Sequence, residues 1–416
     1  MRRFWVICAV AVMAGLCAPR TFAQDLEPQA EAGQSMMDDL GSVAGFEAWR
    51  TGFRPRALAQ GVSAGLFDQA MAQTRFLPEV VARDRKQNEF SKTIWDYLDK
   101  AVSEDRIAAG QRALRKNAAL FDQIEAHYHV DKYTVLAIWG LESAYGAVRG
   151  DIDTLSALAT LSYEGRRAVF FEAELLTLLK ILQRGAAKPA QLRGSWAGAM
   201  GHTQFMPSSY ERLAVDFNGD GSRNIWDDDP TDALASTAAY LADAGWTPGQ
   251  AWGQELRLPA GFDYDLAGSR TQRPMAFWRG LGVETAEGAA LPEANWGAVI
   301  LPAGARGPAF MVYDNFAAIE SYNKADAYVI AVGHLSDRLR GGAGFVQAWP
   351  RDLRALTLPE KIEMQQRLLV RGLLSGAADG KIGPLTVAAV KAFQRSSGDL
   401  VDGYPCLPVL QALRQP

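Results

Sequence analysis

An apolar run that leads to an acid, Val135-Leu136-Ala137-Ile138-Trp139-Gly140-Leu141-Glu142-Ser143-Ala144-Tyr145-Gly146, stands in the first half of this 416-residue chain. On a helix, Glu142 lies at i+3 from Trp139, i+4 from Ile138 and i+7 from Val135, so its own stripe is apolar. A carboxyl group in such a place is desolvated, which raises its pKa and favours the neutral acid. A Glu at its reference pKa of ~4.3 is protonated only ~0.2% of the time at pH 7, whereas at ~6 the figure is ~10%. Spacing alone leaves two readings open: a proton donor, or a Glu that caps the helix end or pairs with an Arg.

Outward from that run the chain divides by pattern. From Phe46 to about Leu192 apolar residues recur at helical spacing, as in Phe90, Ile94, Tyr97 and Leu98, or Leu175, Leu179 and Leu182. Gly194-Ser195-Trp196-Ala197-Gly198-Ala199-Met200-Gly201-His202-Thr203-Gln204-Phe205-Met206-Pro207 interrupts it. Glycines there let backbone approach a ligand, the aromatic side chains offer faces for sugar rings, and Ser195 and Gln204 can hydrogen-bond hydroxyls. Taken alone, this stretch is better read as an ordinary packed loop ahead of a Pro-initiated helix. Helical spacing returns from Pro230 to Ala244.

Between them lies Asp216-Phe217-Asn218-Gly219-Asp220-Gly221-Ser222-Arg223-Asn224-Ile225-Trp226-Asp227. Oxygen side chains at positions 1, 3 and 5 with Gly at 6 form the EF-hand Ca²⁺ pattern, with Ser222 giving its carbonyl from position 7. The closing Glu is missing; Asp227 at position 12 or Asp232 further on would replace it. Asp232 also fits a capping role at N3, and an Asx-rich turn without metal is the alternative for the whole loop.

Residues 252–320 carry short strand-like runs, Glu255–Leu258, Trp296–Leu301 and Ala309–Tyr313, broken by Pro and Gly, and read as a small β insertion. A helix from about Asp326 to Arg340 stops at Gly341-Gly342. Residues 345–357 read as a linker. In 358–416, Met364, Leu368, Val387, Val390 and Phe393 mark amphipathic helices around the turns Asp379-Gly380 and Asp402-Gly403.

At the N-terminus, Arg2 and Arg3 precede an apolar run from Phe4 to Ala18, and Thr21-Phe22-Ala23 offers a cleavage site; 1–23 reads as a signal peptide and 24–43 as a loose leader. Acylation at Cys17 ranks second, because Leu16 fills a position that normally holds a small residue. Cleavage removes Cys8 and Cys17 and leaves Cys406 without a partner, so no internal disulfide is expected. The formal net charge of −4 gives no bulk attraction to nucleic acid or anionic lipid. Gly61-Val62-Ser63-Ala64-Gly65 imitates a nucleophile elbow but follows no strand, and Ser63 fits an N-cap. The four histidines contain no His-Glu-x-x-His pair.

Together these residues resemble the lytic murein transglycosylase B family. Glu142-Ser143-Ala144-Tyr145-Gly146 is similar to its catalytic Glu-Ser-x-x-Gly, and Gly198-Ala199-Met200-Gly201 with Gln204-Phe205-Met206-Pro207 to its core signature; the Asp216 loop is similar to its EF-hand-type loop. The C-terminal unit resembles peptidoglycan-binding domain 1 through Gln365, Asp379-Gly380, Gly383, Thr386 and Phe393-Gln394. The resemblance implies a mainly α fold: a lysozyme-like helical core over 44–344 with the small β insertion, then a small three-helix peptidoglycan-binding module.

It further implies cleavage of the MurNAc–GlcNAc β-1,4 bond of peptidoglycan, leaving 1,6-anhydro-MurNAc ends, with Glu142 as the acid/base. Ser195, Gln204, Tyr240, Tyr322 and Asn323 would line the groove. Asp216, Asn218, Asp220, Ser222, Asp227 and Asp232 would supply a structural Ca²⁺ site, and no cofactor serves the chemistry. Ordinary glycosidases use two carboxylates, yet one suffices where the substrate's own acetamido group assists. A periplasmic monomer acting on glycan strands is expected, with cell-wall synthesis or division machinery as protein partners. The alternatives are a hydrolytic muramidase and a non-catalytic cell-wall binding protein.

Overall fold

Polar caps set where the helices begin. Ser42, Thr93, Ser103, Asp131 and Asp153 each accept a hydrogen bond from a backbone N–H in the first turn of the helix that follows. Thr357 and Glu360 form a capping box at the start of the C-terminal unit. The structure, a computed structural model, describes residues 41–86, 92–268, 271–292 and 296–415. The expected signal peptide, Cys17 and nearly all of the leader lie outside the described residues.

Two helical cores divide the larger unit. One gathers Val43–Ala59, Ala64–Met71, Thr154–Glu164, Ala168–Gln183 and Pro207–Leu213 around Phe46, Phe53, Phe171 and Tyr210. The other surrounds the glutamate helix, Lys132–Ser143, which packs along Asp326–Arg340. That partner comes from beyond the β insertion, so the insertion is an excursion from a helical core.

The strands, in chain order, are β1 (Ile152–Asp153), β2 (Arg193–Gly194), β3 (Gly253–Arg257), β4 (Arg273–Pro274), β5 (Glu284–Thr285), β6 (Trp296–Ile300) and β7 (Ala309–Val312). β1 and β2 pair with each other; the rest form an antiparallel sheet in the order β4-β6-β7-β3-β5. Successive side chains point to opposite faces. Ala298, Ile300, Phe310 and Val312 therefore join the glutamate-helix core, while Val299, Ala309 and Met311 join a satellite core with Leu256, Met275 and Trp278. Burial on both faces explains why these strands read as continuous apolar runs.

The insertion departs from its sequence reading in two ways. It contains a helix, Met275–Gly280, and its strands end at Val312: residues assigned to it up to about 320 lie in the helix Asp314–Tyr322. That helix delivers Tyr322 to the site described below.

The C-terminal unit has three helices, Leu358–Val370, Pro384–Ser397 and Leu407–Arg414, around Met364, Leu368, Val390, Leu410 and Leu413. Two buried glutamines tie its turns: Gln365 Oε1 accepts from Gly380 N, and Gln394 Oε1 from Gly403 N. Both glycines have positive φ, 73° and 72°, which a side chain would strain. The stretch 345–357 is packed along its length. Phe345 stacks on His334, the amides of Val346 and Gln347 both donate to the Glu255 carboxylate at 2.7 Å, and Arg351 pairs with Asp99. Asp402 accepts from Ala305 N at 2.9 Å, which docks the small unit on the insertion.

Candidate active site

The glutamate helix ends in a tight left-handed turn: Ala144, Tyr145 and Gly146 have φ of 49°, 60° and 86°. Each non-glycine residue held there costs on the order of 1–3 kcal/mol, so the surroundings must impose it. They do. Ala144 N donates to Gly140 O, Tyr145 N to Trp139 O, and the Tyr145 hydroxyl to Arg106 O at 3.0 Å. A Cβ on Gly140 would stand 2.6 Å from the Tyr145 ring, so glycine lets the ring fold back. Ser143 Oγ donates to His202 O and accepts from Gly146 N, which fastens the turn to the Gly-rich loop.

Glu142 is only 6% exposed, and the Tyr328 hydroxyl donates to its Oε1 at 2.6 Å. Burial pushes its carboxyl up to about 8, against the opposing pull of the Tyr328 hydrogen bond. At that value the group is protonated about 90% of the time at pH 7. Among the described residues no second carboxylate contributes to the shift. Tyr97, Tyr322 and Tyr328 surround the acid: burial raises each phenol, and the charge of Glu142 raises it further. The capping and Arg-pairing roles left open for Glu142 are not what its partner shows; it is a dry acid in a tyrosine cage.

The expected groove residues divide into two groups. Tyr322 faces Glu142, with its hydroxyl bonded to Thr203 O at 2.5 Å. Asn323 joins Tyr97 and Tyr328 in lining a cavity of 450 Å³, whose far wall includes Lys361, Ile382 and Tyr404 of the C-terminal unit. Tyr240 stands behind, its ring 4.8 Å from that of Tyr322 and its hydroxyl bonded to Ser321 O. Ser195 shapes the loop, since its Oγ accepts from Ala197 N and Ala199 N. Gln204, at φ 54°, donates through Nε2 to Arg149 O and Gly201 O, while its buried Oε1 has no partner among the described residues.

Three residues escaped the sequence reading. Tyr328 sits in a stretch assigned to a core helix, and Tyr97 in another. His202 was weighed only as half of a zinc pair. Nothing in local spacing marks them; Tyr97 and Tyr328 come to Glu142, and His202 to its helix neighbours Trp139 and Ser143, through long-range packing. Ser63 is an exposed residue at the N-cap position of Ala64–Met71, without a side-chain capping bond, and follows a helix, which agrees with rejecting the nucleophile elbow.

In the acidic loop, ligand atoms of Asp216, Asp220 and Asp232 lie within 4.8 Å of one another. Asp232 is 2% exposed and accepts from the amides of Phe217, Asn218 and Asn224; burial, with Asp216 nearby, raises its pKa. Asp227 lies outside this group, because its carboxylate is turned to Asn224 Nδ2 and Gln191 Nε2. Of the two candidate acids, Asp232 is the one grouped with Asp216 and Asp220. Asn218 Oδ1 accepts from Asp220 N, and Ser222 N donates to Asp220 Oδ1. An all-oxygen set with three converging carboxylates suits a hard divalent cation.

Residues 45–337 match the model of the transglycosylase SLT domain, and residues 358–413 that of a peptidoglycan binding domain described as putative. SltB3 of Pseudomonas aeruginosa, solved in complex with NAG-anhNAM-pentapeptide, superposes with a TM-score of 0.86 at 47% identity, over 89% of this chain and 99% of that one. Escherichia coli Slt35, solved in complex with calcium, gives a TM-score of 0.60 at 28% identity, over 73% and 94%. Membrane-bound lytic murein transglycosylase B of E. coli is 40% identical over 172 residues, which span 40% of this chain and 47% of that relative. With most of its length matched by the domain model and by SltB3, the chain belongs to the transglycosylase SLT family.

Proposed function

We propose that the protein is a lytic transglycosylase that cleaves the β-1,4 bond between MurNAc and GlcNAc in peptidoglycan and leaves 1,6-anhydro-MurNAc ends. The observation that carries this is the burial of Glu142 against Tyr328, which raises its pKa, with no second carboxylate contributing among the described residues. A neutral carboxyl donates its proton to the glycosidic oxygen as the bond breaks. The substrate's acetamido oxygen stabilises the electron-poor C1. The resulting carboxylate then takes the proton of the MurNAc 6-hydroxyl as that oxygen attacks C1, so the acid is regenerated and no water is consumed. Acid–base work of this kind contributes typically ~10²–10⁴-fold, and the groove supplies the rest by positioning. Gln204 Oε1 awaits a donor, which a sugar hydroxyl or an acetamido N–H provides.

A muramidase of the ordinary two-carboxylate kind would need a second acid, and among the described residues none contributes to the Glu142 shift. Mass spectrometry of digested sacculi tests the choice. Products one water lighter than their hydrolytic counterparts support the proposal; hydrated reducing ends, or intact sacculi, refute it.

Around this core, the acidic loop would hold a structural Ca²⁺ through Asp216, Asp220 and Asp232, in keeping with the calcium complex of the E. coli relative. Export to the periplasm follows from the signal-like residues 1–23.

A further inference from the structure

We propose that His202 is a positioning residue for Glu142, gripping the end of the glutamate helix from both sides of the acid. The inference rests on the transglycosylase reading above. The imidazole Nδ1 accepts the indole N–H of Trp139 at 3.2 Å, and Nε2 lies 2.6 Å from the carbonyl of Asp227. One protonation state serves both: neutral, with the hydrogen on Nε2. The backbone carbonyl of the same residue accepts from Ser143 Oγ at 2.5 Å. Trp139 and Ser143 are the i−3 and i+1 neighbours of Glu142, so one residue holds the helix on either side of the acid.

The fit around the ring is close. A Cβ on Gly146 would stand 2.6 Å from Nδ1. On the far side, Arg149 Nη1 lies 3.2 Å from Nε2 and donates to the carbonyls of Trp226 and Asp227, each at 2.8 Å. Thr203, the next residue, accepts from the Tyr322 hydroxyl, so the same turn fixes one wall of the tyrosine cage. His202 is 3% exposed. It works through Trp139, Ser143 and Tyr322, out of reach of substrate.

Loosening this grip shifts the helix end and admits water to Glu142. A better hydrated carboxyl loses its proton at lower pH. The alkaline limb of the rate profile then moves toward acid and kcat falls, while KM, set by the groove, holds. His202→Phe keeps an aromatic ring and removes both ring hydrogen bonds. The expected result is a fall in kcat of about tenfold or more, little change in KM, and an alkaline limb lowered by about one pH unit.

His202→Asn, whose side-chain oxygen can replace Nδ1 as acceptor, should recover part of both effects. Should His202→Phe not fold, Trp139→Phe, which removes the indole N–H together with part of the buried ring system, should move the limb in the same direction. Activity lost in proportion to folded protein, with the limb unmoved, makes His202 merely structural and overturns the proposal. A wild type that releases no anhydro product removes the transglycosylase reading and the proposal with it. An active wild type beside unmoved variants refutes only the positioning role.

Discussion

Glu142 carries a physical cost that can be measured apart from catalysis. Its pKa is about 8 in the fold and near its ordinary value of 4.5 when unfolded. Between those values the folded state binds the extra proton, so stability is fully present below the unfolded value and falls as pH rises through the folded one. Glu142→Gln removes that titration while keeping a neutral side chain. We expect it to abolish glycan cleavage and to raise Tm relative to wild type, by a margin that grows from pH 5 to pH 8 and corresponds to a few kcal/mol; paired thermal melts across that range check it. The wild-type rate should fall as pH passes about 8, since the working form is the neutral acid, and a rate profile on soluble glycan fragments checks this limb. The apolar stripe of Glu142 was legible at this scale from i−3, i−4 and i−7 spacing. Its tyrosine cage was not, because Tyr97, Tyr322 and Tyr328 arrive from three separate helices.

At the scale of elements, local chemistry was the better guide. The long helices, the strands β3, β6 and β7, and the Gly341 stop each follow from caps, short strand-like runs broken by Pro and Gly, or a glycine in the left-handed region. The helix Asp314–Tyr322 was hidden because it follows β7 after a single residue, within a stretch dense in apolar side chains. The acidic loop was legible as a candidate, but only folding decides between Asp227 and Asp232: the first turns to Asn224 and Gln191, the second lies buried against three amides. With a cation bound to the folded loop alone, chelation should lower Tm and Ca²⁺ restore it, by about 2.7 kcal/mol at a hundredfold excess over Kd. Calorimetry with and without chelator measures this, and Asp232→Asn should abolish the response.

The whole molecule differs most from what sequence alone suggests. Residues 345–357 read as a tether, yet they form a strap held by Glu255, His334 and Asp99, and Asp402 fastens the C-terminal unit to the sheet insertion. Contacts such as Val346–Glu255 and Arg351–Asp99, 91 and 252 positions apart, leave no periodic trace, which is why the strap was invisible. They also bring Tyr404 and Lys361 into the lining of the cavity that Tyr328 shares. Asp402→Ala removes the acceptor for Ala305 N and the partner of Gln394 Nε2. Calorimetry should then show the small unit melting ahead of the catalytic unit, where the wild type gives one coupled transition.

These scales meet in one carboxyl group. Infrared difference spectroscopy of the protonated carbonyl stretch, with Glu142→Gln as the reference, titrates that group directly in the folded protein. The account predicts a band that persists through neutral pH and disappears with a midpoint near 8. A band already gone by pH 6 would mean that Glu142 is ionised when the enzyme works and cannot be the proton donor.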